Sequence, residues 1–189
     1  MSRSDKDNDT PQPDEGRFFS KMPDLTGHLI FWPIAIIGVA ADLWSKYWVF
    51  KWLGDKPPDY EHTVVEGFLT FVVRMNAGAA FSMASGQRGW LIAISVIAFF
   101  VVVGLFLFGG AHRRIMQVSL GLFTGGIIGN LYDRIDTGLV RDFIDVVYWP
   151  GKHWPAFNVA DSMLCTAVGL IIICNLTSAS SRKSAHRQK

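Results

Sequence analysis

The sequence predicts a membrane α-helical protein: four transmembrane helices with a small β platform and an outer loop on the extracytoplasmic side. Three observations lead there. Half of the 189 residues are apolar and only 18% are charged. Charge is absent from long stretches, as in an integral membrane protein and unlike a soluble core. Between two of those stretches, residues 62–83 are rich in β-branched and aromatic types instead of helix formers. A net charge of +2 is too small to argue for nucleic acid.

Residues 1–27 set Asp5, Asp7, Asp9, Asp14 and Glu15 among Pro11, Pro13 and Pro23, and read as a disordered cytoplasmic tail. A four-helix membrane domain is expected over 28–177 and a basic cytoplasmic tail over 178–189. The predicted helices cover about 29–50, 90–108, 115–132 and 157–176. The second is the clearest: 19 residues without a charge rise about 28 Å, close to the hydrocarbon thickness of a bilayer. The first is interrupted by Asp42 and Lys46. Its run Gly38-Val39-Ala40-Ala41 resembles the cleavage region of a signal peptide. Against that reading, the preceding segment is long and acidic, and apolar residues continue past the supposed cut as Trp44, Tyr47, Trp48, Val49 and Phe50.

Lysine and arginine in short loops set orientation. Arg113 and Arg114 lie in the tight connection between the second and third helices, and Arg182, Lys183, Arg187 and Lys189 lie in the C-terminal tail. Both termini are therefore expected in the cytoplasm. Connection 51–89 and loop 133–156 then share the outer side, with Asn76, Asp142 and Asn158 on one face of the membrane. Two or three short strands are expected within 62–83. In the third helix Gly121, Gly125 and Gly129 recur every four residues, beside Gly126, a spacing that permits close helix approach. Cys165 and Cys174 are more than two helical turns apart, beyond disulfide reach, and read as small apolar residues of a packed helix.

The polar residues inside this apolar framework carry the functional signal. A carboxylate facing lipid is costly, so an intramembrane aspartate is a candidate site. Asp161 lies in the fourth helix, in Phe157-Asn158-Val159-Ala160-Asp161-Ser162. Asn158 and Asp161 share a face at i, i+3, and Asn158 is also a candidate helix cap. Asp142 lies in the loop before that helix, where Asp145 is equally eligible. Two carboxylates sharing a site hold one proton between them, activate water and polarise a carbonyl. Asp42 and Lys46 form an i, i+4 pair that reads as structural. Asn130 and Arg134 share a face of the third helix. Arg134 is suited to a lipid phosphate or a nearby carboxylate, or to interfacial snorkelling with Asp133 as its surface partner.

Four ordered blocks resemble the signature of the lipoprotein signal peptidases (signal peptidase II). They are Asn76-Ala77-Gly78-Ala79-Ala80-Phe81-Ser82, Gly125 through Arg134, Val140-Arg141-Asp142-Phe143, and Phe157 through Ser162. Asp42-Leu43-Trp44-Ser45-Lys46 is similar to a further block that precedes these in the family. The resemblance runs from about residue 30 to 175. It implies a bacterial inner-membrane aspartyl endopeptidase, without metal or cofactor and sensitive to globomycin. Such an enzyme removes the signal peptide from diacylglyceryl-modified prolipoproteins just before the lipidated cysteine. It puts the catalytic pair on Asp142 and Asp161, not Asp145. Substrate-binding or supporting roles fall on Asn76, Gly78, Asn130, Arg134 and Asn158, and structural polar roles on Asp42 and Lys46. Arg141 stands where an apolar residue is usual, and a basic neighbour is expected to favour ionisation of Asp142. The implied partners are prolipoprotein substrates and membrane lipids; separately from the resemblance, a monomer is expected. The residues alone leave a different class open: a small proton- or cation-coupled transporter using the same carboxylates. A third, a membrane scaffold, would tolerate their replacement.

Overall fold

The computed structural model describes residues 22–57, 60–78 and 87–186. Four of the described helices are long and apolar enough to cross a membrane: α1 (Leu25–Gly54), α2 (Arg88–Phe108), α3 (Arg114–Asp136) and α4 (Val159–His186), the last apolar up to Leu176. Four short strands, β1 (His62–Val65), β2 (Leu69–Asn76), β3 (Val140–Trp149) and β4 (Lys152–His153), pair antiparallel in the order β1-β2-β3-β4. The expected architecture is therefore present.

Several boundaries differ from expectation, each for a local reason. The chain becomes helical at Leu25, earlier than the polar composition of 1–27 suggested, because Asp24 caps α1 by accepting the Gly27 N–H at 2.8 Å. Arg114, at the start of α3, grips the same carboxylate at 2.6 and 2.7 Å. The Arg114 guanidinium and the Gly27 amide hold Asp24 well below the usual carboxylate range. The rest of the expected tail, residues 1–21, lies outside the described residues. Helix α1 runs unbroken through Gly38 to Gly54. Most of the supposed outer loop 133–156 is the end of α3 followed by β3 and β4. Helix α4 begins at Val159, two residues later than predicted, because Asn158 is its cap.

Helix α3 is the hub, packing against α1, α2 and α4. At the end remote from the sheet, Phe31 of α1 stacks on Phe106 of α2 with ring centroids 3.9 Å apart, over Leu120 and Ile127 of α3. The glycine stripe explains the hub's close approach. A Cβ on Gly125 would lie 3.1 Å from the Ala35 carbonyl oxygen of α1, and one on Gly126 would lie 2.7 Å from that of Ala160 in α4. One on Gly129 would enter the carboxylate of Asp42 and come within 3.2 Å of Ala160 Cβ. Gly129→Ala is expected to cost about 1–3 kcal/mol by overpacking, read as a lower melting temperature in detergent.

Outward-facing side chains are large and apolar, among them Ile36, Ile97, Phe100, Ile172 and Leu176. Around the sheet end they change to exposed Trp44, Trp48, Trp52, Trp90, Tyr132, Tyr148, Trp149 and Trp154, the composition of a membrane–water interface. Cys165 is exposed on α4 and Cys174 buried, so only the second behaves as the expected packed residue.

Candidate active site

The first turn of α4 organises the site. Three of its amide groups need acceptors that the helix itself cannot supply. Asn158 Oδ1 accepts the Asp161 N–H at 2.9 Å, and Asp161 Oδ2 accepts the Asn158 N–H at 3.3 Å. This is a reciprocal capping box with asparagine and aspartate in its two places. The third amide, Ala160 N–H, donates to Asp42 Oδ1 of α1 at 2.8 Å. Asp161 is therefore not a full turn into apolar helix. It stands in the first turn, half-buried, with its free oxygen toward α3.

That oxygen, Oδ1, accepts from Asn130 Nδ2 at 2.7 Å. Asn130 Oδ1 in turn accepts from Asn158 Nδ2 at 3.1 Å and from Lys46 Nζ at 3.2 Å. Asn158 Nδ2 also donates to Asp142 Oδ1 at 2.7 Å. Asn158 thus touches both aspartates, through its side chain to one and its backbone and cap to the other.

Asp142 arrives from the sheet. In the β2–β3 ladder Arg74 faces Asp142 and Asn76 faces Val140, which puts Asn76 diagonally beside Asp142. Asn76 Nδ2 donates to Asp142 Oδ2 at 3.0 Å, while its own oxygen accepts the Gly78 N–H at 2.9 Å. Gly78 returns its carbonyl to Arg134 Nη2 at 3.2 Å. Asp142 is only 2% exposed. Burial pushes its carboxyl up to about 6; the charge of Asp161 adds to the rise, and the amides of Asn76 and Asn158 oppose it.

Beneath the pair lies a buried ionic cluster. Lys46 is 0% exposed and uses its three protons on Asp42 Oδ2 at 2.7 Å, Asp133 Oδ2 at 3.0 Å and Asn130 Oδ1. The expected Asp42–Lys46 pair is present. Asp133, expected at the surface beside Arg134, is instead fully buried. Its other oxygen accepts from Arg141 Nε at 3.0 Å and Nη2 at 2.6 Å, and Oδ2 accepts the Arg141 N–H at 3.0 Å. This corrects the role expected of Arg141. Adjacent strand residues point to opposite faces, so its charge neutralises Asp133 while Asp142 remains raised.

Asn76, Asn130, Arg134, Asp142 and Asp161 all line one cavity of about 1210 Å³, which continues along α4 past Ser162 to Leu164 and Cys165. Asp145 also reaches this cavity but is occupied elsewhere, 2.6 Å from His153 Nδ1. All nine residues expected to serve the site are thus in one connected region, Asp42 and Lys46 below it and Gly78 at its rim. Asp133 and Arg141 were not singled out for their place under the site. The β-branched and aromatic residues of 140–149 were the available signal for a strand.

Comparison with known proteins follows this geometry. A family model described as Signal peptidase (SPase) II matches residues 34–177. Lipoprotein signal peptidase of Rhodopirellula baltica is 37% identical over 161 residues, 77% of this chain and 71% of its own. That of Dichelobacter nodosus is 36% identical over 151 residues, 77% of this chain and 93% of its own. A bacterial membrane enzyme solved by the in meso method at 2.3 Å superposes with a TM-score of 0.73 at 34% identity, over 86% of this chain and 94% of the other. The chain belongs to the signal peptidase II family of bacterial membrane peptidases.

Proposed function

We propose that the chain is an aspartyl endopeptidase that removes the signal peptide from diacylglyceryl-modified prolipoproteins, cutting just before the lipidated cysteine. One observation carries the aspartyl assignment: two carboxylates from different elements converge on one cavity, each held by asparagine amides, with Asn158 joining them. The cavity, about 1210 Å³, lies just above the roughly 300–1,000 Å³ of small-ligand pockets, and suits an extended peptide with lipid attached. The apolar stretch of α4 beyond the pair suits entry from the bilayer.

The chemistry follows from a single shared proton. Asp142, the more buried of the two, keeps it, and Asp161 accepts the proton of a water lying between them. The resulting hydroxide adds to the scissile carbonyl carbon while Asp142 donates to the carbonyl oxygen. Collapse of the tetrahedral intermediate returns a hydroxyl proton to Asp142 and expels the new amine, which receives its proton from Asp161, so the pair again holds one proton. Asn130 and Asn158 hold the pair in register, and Arg134 faces the substrate backbone or head group. Both termini are assigned to the cytoplasm and the site to the outer face, supported by Arg113 and Arg114 at the far end of the bundle. Action as a monomer is part of this proposal. The transporter alternative gains no support from the relatives.

The deciding experiment is mass spectrometry of products from a purified diacylglyceryl prolipopeptide and its unlipidated twin, with and without globomycin. The proposal predicts one new N-terminus, the lipidated cysteine, and no cut in the twin. A cut elsewhere, or none with folded enzyme, overturns it.

The proton on Asp142 also sets a pH dependence. The free enzyme's groups are read in kcat/KM, which is expected to fall as pH rises through about 6, where Asp142 ionises. Asn76 stabilises the ionised form, so Asn76→Ala removes a lowering influence and moves that alkaline limb to higher pH. A limb that stays in place or moves down contradicts the assignment of the proton to Asp142.

A further inference from the structure

We infer that His153 is a positioning residue: its contact with Asp145 fixes where Asn158 stands between Asp142 and Asp161. This rests on the aspartyl-peptidase reading of the site.

The geometry runs back along the chain from Asn158. Its neighbour Phe157 is sewn to β3, donating N–H to the Ile144 carbonyl at 3.0 Å and accepting from Phe143 and Ile144 at 3.0 and 2.8 Å. These bonds surround the residue that follows Asp142. The returning strand must therefore lie in one register against β3 for the Asn158 amide to meet Asp142 Oδ1 at 2.7 Å. A slip of one residue would turn the amide away.

Ahead of Phe157 the return pairs with β3 at His153 and Lys152. Strand β4 is two residues long, and Pro155 has no N–H to give to a ladder. Trp154 N–H reaches the Val146 carbonyl at 2.8 Å, and beside it His153 Nδ1 lies 2.6 Å from Asp145 Oδ2. Asp145 is 7% exposed, so its carboxylate needs a partner. Glu61 and Arg74, charged side chains on the same cavity wall, approach each other at 3.6 Å. A buried aspartate thus anchors the half-exposed imidazole, which pins the return strand five residues before Asn158. The groups bearing on Asp142 are Asn76 of β2, Asn158, Asp161 of α4, Lys46 of α1 and Arg134 of α3. Of these, Asn158 follows directly on this hairpin, while Asn130 and the Arg141 carbonyl also hold its amide.

The test uses the full chain in nanodiscs as wild type, His153→Ala and His153→Asn. The Asp142 carboxyl band, assigned by its loss in Asp142→Asn, is titrated by infrared spectroscopy beside steady-state cleavage. In His153→Ala the Asn158 amide loosens, so the Asp142 midpoint rises above wild type. There kcat falls roughly tenfold through misplacement, while KM stays within about twofold. His153→Asn, whose amide nitrogen takes the place of Nδ1 and still donates to Asp145, restores both. Asp145→Asn shifts both readouts in the same direction and serves where the alanine variant does not fold. An unchanged midpoint and kcat in folded His153→Ala overturns the inference. So does a raised KM at constant kcat, which would make His153 a substrate contact. A wild type that cuts nothing sinks the peptidase reading alone, because the infrared midpoint still judges the positioning.

Discussion

Asp161→Asn and Asp142→Asn are each expected to abolish cleavage, lowering kcat by roughly a thousandfold or more, as removal of one member of a catalytic unit does. The amide cannot take a proton from water at position 161, and at 142 it cannot pass one to the carbonyl oxygen. The two variants differ in what they do to the fold. At position 142 the new amide still offers one acceptor oxygen to its neighbours but brings an NH2 toward the donor of Asn76 or of Asn158. At position 161 it retains an oxygen with which to cap α4 or meet Asn130, but not both. Both proteins should therefore remain folded with modestly altered melting temperatures. Combining the two changes should cost little more activity than either alone, because the two groups act as one unit. The check is steady-state cleavage of the lipidated peptide with folding verified by thermal unfolding in detergent. Appreciable cutting by either folded single variant would remove the aspartyl mechanism.

The second large effect is on stability. Lys46→Met leaves Asp42 fully buried without a cation, whereas Asp133 keeps Arg141. Breaking a buried pair from one side costs about 3–5 kcal/mol, mostly from the charge left behind. Adding Asp42→Asn removes that charge while retaining an oxygen for the Ala160 N–H. The double variant is therefore expected to melt higher than Lys46→Met alone. If the double variant melted no higher, the cost would lie in lost packing of the lysine stem and not in a stranded carboxylate. Activity in both should drop less than in the aspartate variants, because Asn130 loses one of its partners but keeps Asp161 and Asn158.

The parts of this structure that local pattern can encode were legible in the sequence. Charge-free runs located the spans, four-residue glycine spacing located the helix contacts, and the i, i+4 separation of Asp42 and Lys46 announced their pairing. The shared face of Asn158 and Asp161 was equally local, and became a capping box. What pattern could not encode was who completes each set. Lys46 finds its remaining neighbours, Asn130 and Asp133, on a different helix more than eighty positions along the chain. Segment 140–149 alternates weakly, with Arg141, Asp142 and Asp145 all inside a strand otherwise apolar, so polarity suggested a loop. Its residues are buried under one another because β2 and the return before α4 flank it, which only the folded topology supplies. The choice between Asp142 and Asp145 had the same origin. Spacing allowed either, and resemblance to a family pointed to the first. In the structure Asp145 is turned to His153.

Because Asp42 of the first span holds an amide at the start of the last, the site is a product of complete insertion. A ribosome-bound chain whose first three helices have entered the bilayer has Asp142 but neither Asn158 nor Asp161 to meet it. Lys46, Asp133 and Asn130 can already gather, so the cradle is ready before its reactive half arrives. Threading of the final helix is then the act that arms the protein. Under the proposed aspartyl mechanism, a chain truncated before residue 158 is expected to cut nothing.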